Sequence, residues 1–151
     1  MDLNTEILKL KNNRLLRSKL EINNFESAIE SITTLNNASL IKDLCTGFDD
    51  QTEDSEVMFG LIHAIEDFEG EEGIFEMAKA IPNMLPHAKE WAKILNYRIL
   101  NHEPSRKIYA EVLKKVDGLA KDTIIQILYE IKTEDPIRFE VTVNEVLSSL
   151  K

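Results

Sequence analysis

The chain has 151 residues, enough to bury a sizeable core, and this length predicts one domain spanning residues 1–151. The single cysteine, Cys45, excludes an intramolecular disulfide and favours a reducing compartment, for which we predict the cytoplasm. The net charge of −9 disfavours direct binding to nucleic acid, because phosphates repel an acidic protein. The amphipathic N-terminus is unlike a secretory signal, and no apolar run approaches the ~20 residues that would cross a membrane.

Apolar residues recur with a period near 3.6 along almost the whole chain, which predicts an all-α fold of about nine short helices. Their start and stop signals are Gly, Pro, Asn and Asp residues between the periodic segments. The predicted helices span about 3–19, 24–35, 38–46, 54–69, 72–81, 86–101, 104–117, 119–133 and 136–150.

Three of these boundaries depend on particular residues. Asn23 and Glu26 form a plausible capping pair for the second helix. Pro82 and Pro86 are expected to bracket a turn, because each removes an amide donor and restricts the residue before it. Asp135 followed by proline is a clear start signal for the last helix.

The predicted connections between helices are short, which favours antiparallel neighbours and hence a series of helical hairpins. Stacked hairpins would form a right-handed α-solenoid of the HEAT or armadillo kind. An irregular α-bundle is the alternative, because the sequence shows no exact repeat.

The negative charge is concentrated between Asp43 and Ala78. These 36 residues contain twelve Asp or Glu and no Lys or Arg. The other 115 residues carry 15 acidic and 18 basic residues, a net charge of +3. The acidity is therefore a local property, and it favours a basic protein as the partner.

A helical wheel divides the helix that follows the acidic loop into two faces. Val57, Met58, Leu61, Ile62, Ala64, Ile65 and Phe68 form the predicted core face. Glu56, Gly60, His63, Glu66 and Asp67 form the opposite, polar face. Phe59 falls on the polar side, where it is either a contact to a neighbouring helix or an aromatic anchor for a partner. Trp91 and Cys45, in apolar helical contexts, are predicted core residues.

No motif for catalysis or metal binding emerges. His63 and Glu66 are three residues apart, but a metal site in a helical bundle needs such pairs from several helices. The acidic loop 49–54 lacks the alternating ligands and central glycine of an EF-hand. There is no Gly-rich phosphate loop and no Gly-x-Ser-x-Gly. We therefore expect no cofactor, no metal and no enzymatic activity, with a metal-dependent helical enzyme as the least favoured alternative.

Two segments, Phe48–Asp50 and Glu56–Glu66, resemble the immunity protein 30 family of bacterial polymorphic toxin systems. Leu15–Arg17, Phe25–Ile29 and Trp91 are also of that family's kind. The resemblance implies a small, all-α, acidic, cytosolic protein that binds and neutralises a cognate toxin domain encoded nearby. It implies no mechanism for individual residues.

The functional hypothesis is therefore an immunity protein that occludes a toxin by stoichiometric binding. Its acidity favours a basic toxin, as secreted nucleases tend to be, with no direct nucleic acid or membrane partner. A HEAT-like scaffold or adaptor that binds a basic protein is the alternative. The candidate partner-binding residues are Asp49, Asp50, Glu53, Asp54, Glu56, Phe59, Gly60, His63, Glu66 and Asp67.

Overall fold

The computed structural model describes residues 2–68 and 70–150, and within these ranges the chain is helical with no strand. The all-α prediction is confirmed. The α-helices are α1 (Leu3–Asn12), α2 (Lys19–Thr34), α3 (Ile41–Leu44), α4 (Ser55–Glu66), α5 (Gly70–Leu100), α6 (Glu103–Lys115), α7 (Gly118–Glu134) and α8 (Pro136–Ser148). Two short 3-10 helices, Ala38–Leu40 and Cys45–Gly47, flank α3. The predicted end of the acidic helix at residue 69 lies outside the described residues.

Side-chain caps explain where most helices begin. The Asp54 carboxylate accepts a hydrogen bond from the Val57 amide, and Asp135 does the same for Arg138, as its Asp-Pro signal predicts. The predicted start of the second helix is wrong. Ser18, rather than Asn23, is the cap, because its hydroxyl accepts from the Glu21 amide. α2 therefore begins at Lys19, and α1 ends at Asn12 instead of continuing to residue 19.

The largest difference from the prediction lies in α5. Pro82 and Pro86 sit inside the helix rather than around a turn, and the break falls at Ala88, whose φ of −143° and ψ of 36° are not helical. The bend is strong, because Met77 and Leu95 line one groove. In a straight helix these two residues would be about 27 Å apart. Thus α5 consists of two parts, residues 70–87 and 89–100, and the second folds back towards the first.

The helices pack mainly as neighbours in sequence, α1 with α2, α5 with α6, and α7 with α8. In the C-terminal half, α5 also contacts α7, and α6 contacts α8. The buried apolar side chains of all these helices form one continuous cluster. Pairwise stacking of this kind is what a solenoid requires, and the solenoid itself stays a prediction. None of the helices in the described ranges is long and apolar enough to pass through a lipid bilayer.

Candidate partner-binding surface

The acidic loop that precedes α4 contacts the turn between α1 and α2. Asp49 is only 8% exposed, and its Oδ2 lies 3.0 Å from Nε of Arg14. Its other oxygen accepts a hydrogen bond from the Gln51 amide at 2.8 Å. The Glu53 amide donates to the Leu15 carbonyl at 2.8 Å. The Asp49 carboxylate therefore stabilises the loop, because a buried charge needs such partners.

Asp50 caps the bend in α5. Its carboxylate accepts hydrogen bonds from the amides of Glu90 and Trp91, at 3.2 and 3.3 Å. Its own amide donates to the His87 carbonyl at 2.9 Å. In a continuous helix those two amides would bond to carbonyls four residues earlier. Asp50 supplies the acceptor instead, which explains why the helix breaks at Ala88 rather than at either proline.

His87 lies beside this bend with an unsatisfied nitrogen. Its Nε2 is buried and has no hydrogen-bond partner among the described residues. Burial lowers the pKa of His87, and the nearby Arg14 guanidinium lowers it further, while Asp49 and Asp50 oppose the shift. The native fold therefore favours the neutral imidazole.

One side of α4 forms an exposed stripe. Glu56, Gly60, His63 and Asp67 are spaced by four, three and four residues, so they follow one line along the helix. All four are exposed, as the helical wheel predicts. A Cβ atom built on Gly60 would meet nothing within 4 Å. The stripe therefore contains a glycine that packing within this chain does not require.

Phe59 is half-buried beside the stripe and belongs to an aromatic cluster. Its ring meets Trp91 edge-on, with centroids 5.2 Å apart and planes at 74°. Trp91 is only 5% exposed and stacks on Phe48 at 5.9 Å. The predictions of Trp91 and Cys45 as core residues are confirmed. For Phe59, the geometry matches the contact to a neighbouring helix, and its role in partner binding stays a prediction.

Glu66 has an intramolecular partner as well. Its carboxylate receives two hydrogen bonds from the Arg98 guanidinium, at 2.6 and 2.9 Å. This hydrogen bonding raises the pKa of Arg98. The pair joins α4 to the second part of α5 and is more than a third exposed on both sides. Such an exposed pair adds little stability, but it fixes the position of both side chains.

The seven acidic residues among the predicted site residues thus divide into two groups. Asp49, Asp50, Asp54 and Glu66 bind partners within the chain. Glu53, Glu56 and Asp67 are exposed and form no ion pair with any residue in the described ranges. The second group, together with Gly60 and His63, leaves a smaller outward surface for a partner. Binding by any of these residues stays a prediction.

Sequence reasoning missed a groove at the junction of α4 and α5. Its volume is about 540 Å³, and it lies between the end of α4, both parts of α5 and the start of α6. Residues more than twenty positions apart line it, and the bend at Ala88 brings the two parts of α5 together. The predicted turn at the prolines implies that residues 72–81 meet 86–101. No local pattern indicates that the end of α4 and the start of α6 complete a groove there.

The described residues offer little for chemistry. No group of three or more His, Cys, Asp or Glu residues in ranges 2–68 and 70–150 is placed to hold a metal ion. Cys45 is 2% exposed, and burial raises the pKa of its thiol to about 12. A thiol held in its neutral form is a poor nucleophile at neutral pH.

The comparison with protein families gives a match to Immunity protein 30 over residues 12–109, about two thirds of the chain. The chain belongs to this family. The match covers α2 to α5 and most of α6, and it includes the acidic loop, the stripe and the bend. Neither the search of curated proteins nor that of solved structures gives a match. Membership of an immunity protein family implies a cognate toxin as the partner.

Proposed function

We propose that this protein neutralises its cognate toxin by stoichiometric binding, and that the exposed stripe of α4 contacts the toxin. We define the acidic stripe as these four exposed residues, Glu56, Gly60, His63 and Asp67, together with Glu53 of the preceding loop. Family membership supports the toxin as the partner. The observation that carries the choice of surface is that Glu53, Glu56 and Asp67 are exposed and unpaired within the described ranges.

The charge of the stripe indicates the chemistry of the partner. Twelve Asp or Glu residues and no Lys or Arg lie between positions 43 and 78, so a basic toxin surface complements this region. A toxin that acts on nucleic acid would present such a surface, because its substrate is anionic. Occlusion requires no catalysis by the inhibitor, and about 800 Å² buried on each partner would be sufficient. This activity would be exerted in the cytoplasm.

Buried contacts hold the inner side of α4, opposite the acidic stripe. Asp54 caps the first turn of α4, and Met58, Leu61, Ile62 and Ile65 of the same helix are buried. The Phe59–Trp91 contact joins α4 to the second part of α5. A surface whose backbone is already ordered loses little entropy on binding, which favours a tight complex.

The test is co-expression with the toxin encoded by the adjacent gene. The wild-type chain should restore growth and form a 1:1 complex that size-exclusion chromatography with light scattering detects. The charge-reversing double variant Glu56→Lys/Asp67→Lys should lose protection while remaining folded. Phe59 and Glu66 are left unchanged, because Phe59 packs on Trp91 and Glu66 binds Arg98.

The matched control is Asp122→Lys/Glu140→Lys. Both residues are exposed, lie on α7 and α8, and form no ion pair in the described part of the chain. This control changes the net charge by the same amount and should protect fully. Equal protection by both double variants would refute the stripe as the contact surface. Failure of the wild-type chain to bind the neighbouring gene product would refute the function itself.

The stacking of α5 on α7 and of α6 on α8 favours one alternative, a HEAT-like scaffold for a basic protein. The gene neighbourhood separates the two hypotheses. A toxin gene beside this one supports an immunity protein, whereas its absence supports a scaffold.

A further inference from the structure

Two adjoining cavities meet at the junction between α4 and α5. The first is the groove of about 540 Å³ described above, and its wall is mostly apolar. Six apolar side chains that line it come from α4, both parts of α5, and α6. They are Ile65, Ile74, Met77, Leu95, Ile99 and Ile108. Polar side chains also line this groove, namely the Glu66–Arg98 ion pair, His102 and Ser105.

The second cavity has about 380 Å³ and a different chemistry. Its lining residues include two acids, Asp67 and Glu72, and two amides, Asn36 and Asn37. Asp67 and Glu72 are exposed, and neither forms an ion pair with a residue in the described ranges. Two unpaired carboxylates suit a cation that has several hydrogen-bond donors. Oδ1 of Asn37 already accepts from the amide and the hydroxyl of Ser39.

Phe68 and Gly73 line both cavities, so the two lie side by side. A Cβ atom on Gly73 would stand 2.3 Å from the Phe68 carbonyl oxygen. Gly73 therefore allows the backbones of the two helix ends to approach closely. This approach brings the apolar groove next to the acidic cavity. Asp67, which lines the acidic cavity, is also the last residue of the acidic stripe.

We propose that a toxin segment carrying an apolar side chain next to an arginine docks here. The apolar side chain fills the groove, and the guanidinium lies between Asp67 and Glu72. This inference rests on the proposed function and names the chemistry of the toxin segment. Charge complementarity selects the occupant. An anionic lipid or nucleic acid would be repelled by Asp67 and Glu72. A purely apolar segment would leave both carboxylates without a partner. Arginine fits better than lysine, since its planar group can bind two acceptors at once.

The test measures the dissociation constant for the adjacent gene's toxin by calorimetry. Ile74→Gln places a polar side chain in the groove, and Asp67→Lys/Glu72→Lys reverses the charge of the second cavity. Each should raise the dissociation constant by about tenfold or more. The matched controls are Ile137→Gln, an exposed apolar residue on α8, and Asp122→Lys/Glu140→Lys. Both controls should bind as the wild type does.

A charge exchange makes the test specific. Each arginine of the toxin is replaced in turn by Glu. One of these toxin variants should bind the wild-type chain poorly and the Asp67→Lys/Glu72→Lys chain well. Urea unfolding of each variant separates loss of binding from loss of folding. Wild-type affinity in the folded groove and cavity variants, or the lack of any rescuing toxin variant, would overturn this docking site while leaving the proposed function intact. If the wild-type chain does not bind the toxin, both proposals fail together.

Discussion

At the scale of single residues, Tyr109 provides the clearest case of a polar group in the core. It is fully buried, and its hydroxyl donates to Oδ1 of the buried Asn96 at 2.7 Å. Asn96 in turn donates to the Ala92 carbonyl at 2.8 Å. Burial raises the pKa of Tyr109, so the hydroxyl stays protonated and available as a donor. The hydrogen bond joins α6 to the second part of α5.

We expect Tyr109→Phe to lower the free energy of unfolding by about 1–3 kcal/mol, because it leaves Oδ1 of Asn96 buried without a donor. Urea unfolding measures this change. Tyr129→Phe is the control, since Tyr129 is 52% exposed, and it should leave stability nearly unchanged. Equal stability of the Tyr109 variant and the wild type would contradict the network.

His87 predicts a pH dependence of stability. Its folded pKa lies below the ordinary value of 6.5, first because of burial and then because of Arg14. Below pH 6.5 the unfolded chain therefore binds a proton more readily than the native one. Above pH 6.5 the imidazole is neutral in both states, so it does not change the free energy of unfolding with pH. As the pH decreases from 6.5 towards the folded pKa, the free energy of unfolding should fall.

The measurement is urea unfolding at pH 7.5 and pH 5.5. His87→Gln cannot titrate and should show a smaller loss of stability between the two values than the wild type. The exposed His63 offers the control, and His63→Gln should keep the wild-type loss. An unchanged loss in the His87 variant would show that the His87 imidazole is not responsible.

At the scale of secondary-structure elements, Asp50 and Glu53 share one acidic loop but differ in role. Asp50 caps the second part of α5 through two amides, whereas the Glu53 side chain is exposed. Asp50→Ala should cost about 1 kcal/mol of unfolding free energy, the usual value of a helix cap. Asp50→Asn keeps an acceptor and should cost less. Glu53→Ala should change stability by less than about 0.5 kcal/mol. Similar losses at both positions in urea unfolding would contradict the capping role.

Two glycines in neighbouring helices should respond oppositely to the same substitution. Gly60 faces open space in the middle of α4, so Gly60→Ala should raise the unfolding free energy by about 0.5–1 kcal/mol. A Cβ atom at Gly73 would clash with the Phe68 backbone, so Gly73→Ala should lower it by about 1–3 kcal/mol. Thermal or urea unfolding measures the change in unfolding free energy for both variants. If the toxin approaches the stripe closely, Gly60→Ala should also weaken toxin binding although it stabilises the fold.

These elements show how far the sequence alone can predict this molecule. Apolar periodicity and the Asp-Pro signal predict helices correctly, because both are local effects along one segment. The break in α5 was predicted at the prolines, but it lies at Ala88, where a carboxylate from a distant loop binds the free amides. The acids of that loop were grouped as one surface, yet Asp49 and Asp50 face inward to Arg14 and α5. Partners that are distant in sequence leave no local pattern.

At the scale of the whole molecule, the charge is distributed unevenly. The stretch from 43 to 78 has twelve acidic residues, while the remaining 115 residues carry a net charge of +3. A basic toxin would therefore be attracted to one region of the protein and weakly repelled by the rest. Such asymmetry orients the encounter before contact and increases the association rate more than the final affinity.

The expected consequence is a rate of toxin association that falls with salt, because ions screen exposed charges beyond about 10 Å at 0.1 M ionic strength. Between low and high salt the association rate constant should decrease by about tenfold or more, and the dissociation rate should change little. Stopped-flow fluorescence measures the first, and surface plasmon resonance measures the second. Glu56→Gln/Asp67→Asn should flatten the salt dependence, whereas Asp122→Asn/Glu140→Gln should retain it. Both variants remove two negative charges. If net charge alone set the salt dependence of the association rate, both variants would reduce that dependence equally. Such a result would argue against steering by the acidic stripe.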